Sequence, residues 1–319
     1  MPIAFRRLEL DARLSRIRAA QVAVEPGLAA LTKMLVIIGD CPAAGRWIER
    51  CGAISTLVLR HPQATTVLAA IDGIRQRPPP SLALDVGAPL REARDALLQL
   101  FDHLAQAPEI ARIKLIICAN SISPSAWPSA WMAPHMQAVD VVSDDPLFVQ
   151  SILGSVQSLH HLRMQNIPGR YTCEAWVFQG YHVRQPMLAA LGSLRRLTLV
   201  DIGFRKWQWE IAFATCSSLE HLVMREHDVA VPFLYETPPP PSYPSSMVAV
   251  ALDLSIGWSA IIENIDATID RQRGEERMER MGRLRIERRG DWQGVGPAER
   301  DVLVEQAAAV GLRLQLVDD

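Results

Sequence analysis

The residues able to do chemistry are few, and their spacing works against it. His160 and His161 are adjacent, and neighbours on a strand face opposite ways, so the two cannot line one site from there. His221 and His227 lack the helical spacing that puts two imidazoles on one metal ion. Asp144 and Asp145 precede Pro146, where a carboxylate satisfies the free N–H groups of a starting helix; the pair reads as a cap rather than an acid–base couple. Gly294-Val295-Gly296 runs into Pro-Ala-Glu and is not a dinucleotide loop, and no phosphate-loop, nucleophile-elbow or H-E-x-x-H string occurs. The five cysteines, at 41, 51, 118, 173 and 216, form an odd set without a C-x-x-C pair. That argues against zinc and against a disulfide framework, and it suits an intracellular, reducing location, cytoplasmic or nuclear. The residues therefore predict no catalysis, no metal and no cofactor.

Charge excludes further classes. A chain of 319 residues with a net charge of −2 carries neither a nucleic-acid field nor a membrane-surface field. No stretch of 18 apolar residues could span a bilayer, and the start, "MPIAFRRLELDARLSRIRAAQ", lacks the apolar core of a secretory signal. The run 270–291, "DRQRGEERMERMGRLRIERRGD", mixes both signs and reads as a solvated helix face.

What must position the polar residues is a recurring phrase. Residues 158–165 read "SLHHLRMQ", 193–200 "SLRRLTLV" and 218–225 "SLEHLVMR", sharing the frame Ser-Leu-x-x-Leu-x-apolar. Upstream apolar positions extend it to Val156, Leu159, Leu162, Met164; to Leu191, Leu194, Leu197, Leu199; and to Cys216, Leu219, Leu222, Met224. Cys51, Ile54, Leu57, Leu59 repeats it, as does Met278, Met281, Leu284, Ile286. Looser copies place anchors at 8, 34, 82, 113, 139, 252 and 314. Between anchors lie helix-like stretches. In 89–108, "PLREARDALLQLFDHLAQAP", Leu90, Ala93, Leu97, Leu100, Phe101 and Leu104 make one stripe; 63–77, 145–157 and 297–311 read alike. A short strand, a turn and a helix, with anchors 23 to 35 residues apart, is how a solenoid is written. Two insertions break the rhythm: aromatic-rich 166–186, read as a hairpin on a repeat's rim, and 235–246, "YETPPPPSYPSS", read as a projecting polyproline stretch.

These residues resemble a leucine-rich repeat, whose phrase is L-x-x-L-x-L-x-x-N/C-x-L. Residues 194–204, "LRRLTLVDIGF", match its leucines and put Ile202 at the Asn/Cys position; residues 110–120, "IARIKLIICAN", put Cys118 there. The irregular spacing looks most like the degenerate repeats of fungal F-box-type proteins, although no F-box-like helical segment precedes the first repeat. The resemblance implies a non-catalytic scaffold for protein binding, with substrate recognition in a ubiquitin ligase as its use.

The expected fold is α/β: one irregular solenoid over 1–319, with a parallel sheet on the concave face and helices on the convex face. Strand alternation then turns His161, Arg163, Arg196, His221 and Arg225 outward onto the sheet, where they would meet a protein partner carrying an acidic segment. The positive character should be local, since strands near 252 and 314 contribute Asp253 and Gln315. The alternative is an α/β enzyme in which 32–40 and 113–121 are core strands of a doubly wound sheet. Strand order separates the two, because only the latter reverses.

Overall fold

The structure is a computed structural model. It describes residues 7–11, 26–86, 94–117, 135–143, 152–154, 156–165, 190–202, 206–225, 243–253, 258–273, 282–288 and 296–318. The chain divides into two compact units, Met1–Ser158 and Leu159–Asp319.

Among the described residues the first unit holds six strands: β1 (Arg7–Asp11), β2 (Met34–Ile38), β3 (Thr56–Arg60), β4 (Ser81–Val86), β5 (Arg112–Ile117) and β6 (Ala138–Ser143). The second holds β7 (His161–Gln165), β8 (Arg196–Val200), β9 (His221–Arg225), β10 (Ala249–Asp253), β11 (Arg283–Arg288) and β12 (Arg313–Asp318). Within each unit every strand pairs in parallel with its neighbours in the chain. Neither order reverses, so the switch point at which a doubly wound sheet seats ligands does not arise. The fold is the expected strand–helix solenoid, with 32–40 and 113–121 supplying β2 and β5 as two of its strands.

Helices return the chain between strands: α1 (Pro26–Leu31), α2 (Ala44–Arg50), α3 (Ala64–Gln76), α4 (Arg94–Ala105), α5 (Lys206–Thr215), α6 (Trp258–Arg273) and α7 (Pro297–Ala309). They stack in order as the strands do, α2 on α3, α3 on α4, and α6 on α7. The stripe Leu97, Leu100, Phe101, Leu104 of α4 is buried as its spacing requires. At the start of α7 the Gly296 N–H donates to the Glu299 carboxylate at 3.1 Å, capping the helix.

The core is a column of strand side chains. In the first unit Leu35, Leu57, Leu82, Ile113 and Val139 are buried, with Leu10, Ile37, Leu59, Leu84, Leu115 and Val141 in the adjoining row. In the second unit Leu162, Leu197, Leu222, Val250 and Leu284 lie in register, followed by Leu314. The upstream apolar positions Cys51, Leu159, Leu191, Leu194, Cys216 and Leu219 are buried too. Each marks a tight turn into its strand: the Leu194 N–H donates to Leu191 O, and Leu219 N–H to Cys216 O.

Two anchors stand elsewhere than their spacing suggested. In β2 the column residues are Leu35 and Ile37, not Met34 and Val36, because "MLVII" is apolar throughout and its phase is set by pairing with Leu57 and Leu59. In β10 Val250, not Leu252, stands opposite Leu222, a slip of two residues that keeps the face. The charged run 270–291 is not one helix: α6 ends at Arg273 and Arg283–Arg288 is β11. Of the two insertions, 166–186 lies outside the described residues, as does 235–242. The last part of the second does not project. Tyr243 is 4% exposed with its ring 5.6 Å from that of Phe213. Ser246 Oγ donates to Leu219 O at 2.8 Å. The ring fills apolar space beside α5, and the serine ties one turn to the preceding one.

Backbone bonds join the repeats beyond the strands. The carbonyl two residues before each anchor accepts successive N–H groups from the next repeat: His160 O from Arg195 and Arg196, Arg195 O from Glu220 and His221, Glu220 O from Val248 and Ala249. Just past the strand, Gly39, His61 and Asp201 adopt positive φ. Their N–H groups donate to Arg60 O, Asp85 O and Arg225 O of the following strands. The sequence signals this left-handed step only at Gly39, since His61 and Asp201 are not residues that require it.

Candidate functional site

The strand faces away from the buried columns are where polar side chains gather, and register sorts them into rows. In the first unit the second and third rows pair opposite charges, while the first row, Arg7, Met34, Thr56, Ser81, Arg112, Ala138, holds two arginines and no acid. Across strands Arg60 lies 3.7 Å from Asp85 and Lys114 3.6 Å from Asp140, while Arg7 lies 3.0 Å from Glu9 within β1. Cross-strand pairs of opposite sign neutralise one another and are worth little energetically at such exposure.

The second unit differs. Its first row, running across β7 to β12, reads His161, Arg196, His221, Ala249, Arg283, Arg313. The second row reads Arg163, Thr198, Val223, Ala251, Arg285, Gln315. Neither contains an acidic residue. Acids enter only in the third row, where Asp253 stands beside Arg225 and Glu287 beside Asp253. Every cationic or imidazole position of the first row is exposed.

The five residues singled out from the sequence fall as follows. His161, Arg196 and His221 share the first row on adjacent strands, which lie about 4.8 Å apart. Arg163 is one step along, in the second row, half-buried, and its guanidinium donates to Gln165 Oε1 at 3.0 Å. Arg225 is in the third row, exposed, opposite Val200. Val200 itself is wholly buried although its position faces away from the column, so the face is covered there. The open part of the surface is the first row.

The positive character is not local. Arg283, Arg285 and Arg313 extend it to β11 and β12. Sequence reading missed Arg283 and Arg285 because β11 sits inside a run whose mixed charge reads as a solvated helix. The signal that finds them is the frame itself: the residues flanking Leu284 and Leu314, like those flanking Leu197, must turn outward. At the rim, Arg195 faces Glu220 at 3.8 Å, outside the three rows.

Side chains suited to covalent or metal chemistry are placed for packing. Cys41, Cys51 and Cys216 are free and buried. Burial pushes the Cys216 thiol up to about 12. It also raises Cys51 against a Thr32 hydrogen bond, and raises Cys41. A thiol held protonated is a poor nucleophile and a poor metal ligand. Cys118 and Cys173 lie outside the described residues, as do Asp144, Asp145 and His227. Among the described residues no three His, Cys, Asp or Glu side chains gather, and no helix is long and apolar enough to cross a membrane.

No protein-family model matches the chain, and a search of curated proteins finds no match.

Proposed function

We propose that this protein is a non-catalytic scaffold that binds an acidic segment of a protein partner along the first outward row of its second unit. One contrast carries the reading. The first unit matches Lys114 with Asp140 in its second row and has only Arg7 and Arg112 in its first, whereas the first row of the second unit gathers His161, Arg196, His221, Arg283 and Arg313, with no acid in it or in the second row. Packing gains nothing from like charges set side by side, and they oppose folding slightly. Their use lies in a ligand. Forked guanidinium groups on a rigid strand face meet carboxylates bidentately, with little ordering cost left for the moment of binding. The side chains stand on hydrogen-bonded strands rather than loops, so their spacing is fixed by the backbone.

The adaptor role implied by the resemblance, substrate recognition in a ubiquitin ligase, is one use of such a face. Buried free thiols suit a reducing compartment, and the reading places the protein inside the cell.

The test is affinity recovery of partners from the native cell at low and moderate salt, followed by mass spectrometry. The wild-type chain is compared with Arg196→Gln/Arg283→Gln/Arg313→Gln, whose folding is checked by circular dichroism. The expected result is an acidic partner recovered by the wild type, more weakly as salt rises, and lost by the variant. Equal recovery by a folded variant would sink the reading.

A further inference from the structure

The row that carries the proposed function is not evenly charged. Across β8 to β12 it runs Arg196, His221, Ala249, Arg283, Arg313, and all but Ala249 are exposed. His161, Arg163, Arg225 and Arg285 interact within the chain, so the spacing of Arg196, Arg283 and Arg313 is the better guide to a ligand. Strand β10 interrupts that spacing. It gives Ala249 to the first row and Ala251 to the second, where Ala251 stands opposite Val223 of β9. All three are half-buried. A patch of short apolar side chains therefore separates Arg196 and His221 on one side from Arg283 and Arg313 on the other.

Distances along the row restrict what can span it. Neighbouring strands lie about 4.8 Å apart, so Arg283 stands about 14 Å from Arg196 and Arg313 about 19 Å. An extended peptide advances about 3.3 Å per residue and turns every second side chain to the same face. Laid across the strands with its first residue at Arg196, it brings its fifth to about 13 Å and its seventh to about 20 Å. Both share the face of the first, and they fall at Arg283 and Arg313. The third residue shares that face too and reaches about 7 Å, at the border of His221 and Ala249. A carboxylate moved further over Ala249, Ala251 and Val223 would lose water without gaining a partner, whereas a small apolar side chain there costs nothing.

We infer, resting on the acidic-partner reading above, that this row recognises a gapped acidic segment. The segment is an extended stretch of partner chain with acids at its first, fifth and seventh positions and a small apolar residue at the third, or the same order in the opposite chain direction. The first acid lies at Arg196 beside His221, the other two lie at Arg283 and Arg313, and the apolar side chain rests against Ala249. The charges supply attraction. The gap supplies selectivity, because it penalises an acid in the wrong place. A single-stranded nucleic acid is a poorer match, since it carries charge at every phosphate and has no apolar side chain for the alanines.

The experiment measures binding of labelled nonapeptides to the full chain by fluorescence anisotropy at low salt. The gapped peptide is Ser-Glu-Ser-Val-Ser-Glu-Ser-Glu-Ser, and its reversal supplies the second direction. Two controls keep the composition. One sets the three Glu side by side; the other spaces them every third residue and so turns the middle one away. The better gapped peptide should bind at least fivefold more tightly than either control, and a folded Arg196→Gln/Arg283→Gln/Arg313→Gln variant should abolish the difference. Replacing the peptide's Val by Glu should weaken binding to the wild type and strengthen binding to Ala249→Arg. Equal binding of all four peptides, lost in the triple variant, overturns the gap and leaves the acidic-partner reading standing. Binding of none of them also overturns the proposal; if partner recovery from the cell is unchanged in the triple variant as well, the acidic-partner reading falls with it. Tighter binding of a ten-nucleotide thymidine strand than of any peptide overturns it too.

Discussion

At the residue scale the repeated phrase has a physical reason for its serine. Ser193 Oγ donates to Leu159 O of the preceding repeat at 3.1 Å and to Ala190 O at 2.9 Å. Ser246 does the same for Leu219 O, four residues before Val250 as Ser193 is four before Leu197. Ser193→Ala removes a neutral donor from two carbonyls, which should cost about 1 kcal/mol in a denaturant titration. Ser193→Thr should recover most of it. A second residue-scale effect concerns His103 on α4, whose Nε2 is buried without a partner. Burial lowers its pKa, with the Arg75 charge adding to this and Glu109 opposing. The folded state therefore binds a proton less readily than the unfolded chain. Above the ordinary value of 6.5 both states are neutral and stability is unaffected. As pH falls through that value the unfolded chain protonates first, and stability drops until the lowered folded pKa is passed. Denaturant midpoints at pH 7.5 and 5.5 should differ less in His103→Gln than in the wild type. An unchanged difference would remove His103 from the account.

At the element scale the fold was legible where apolar residues alternate and illegible where they do not. Leu57 and Leu59 in "TLVLR" and Leu222 and Met224 in "HLVMR" are flanked outside by polar residues, and Leu197 and Leu199 enclose Thr198, which fixes strand phase from sequence alone. In "MLVII" any phase satisfies the pattern, and only the partner strand decides it. The helix α6 was hidden by its charged end; yet Ile265, Thr268, Ile269 and Gln272 are buried at the spacing of one helix face. The close approach of α2 and α3 was also unreadable, because it needs two elements at once. A Cβ on Gly73 would stand 2.8 Å from Gly45 O and 2.9 Å from Gly45 Cα, and one on Gly45 would stand 2.5 Å from Ala69 O. These are backbone atoms and cannot step aside. Glycine within a helix is ordinarily improved by alanine, by roughly 0.5–1 kcal/mol. Here Gly73→Ala should instead destabilise by about 1–3 kcal/mol through overpacking. A thermal melt that rises on this substitution would show that the helices have room.

At the scale of the whole molecule, each unit is a row of neighbours. A strand touches the strand before and the strand after, so stability is carried by successive contacts rather than by one central cluster. The same construction made the candidate surface only partly readable. Which side chains turn outward follows from alternation within a strand, and so His161, Arg196 and His221 could be named from sequence. Which of them share a row follows from register between strands. Register set Arg163 and Arg225 apart from the other three and joined Arg283 and Arg313 to them. The most direct test of the central claim is arginine footprinting with phenylglyoxal, read by mass spectrometry, on the chain alone and bound to its recovered partner. The account predicts that Arg196, Arg283 and Arg313 become protected, while Arg50, Arg75 and Arg273 on the helices react as before. Protection that falls on the helix arginines and spares the first row would contradict it.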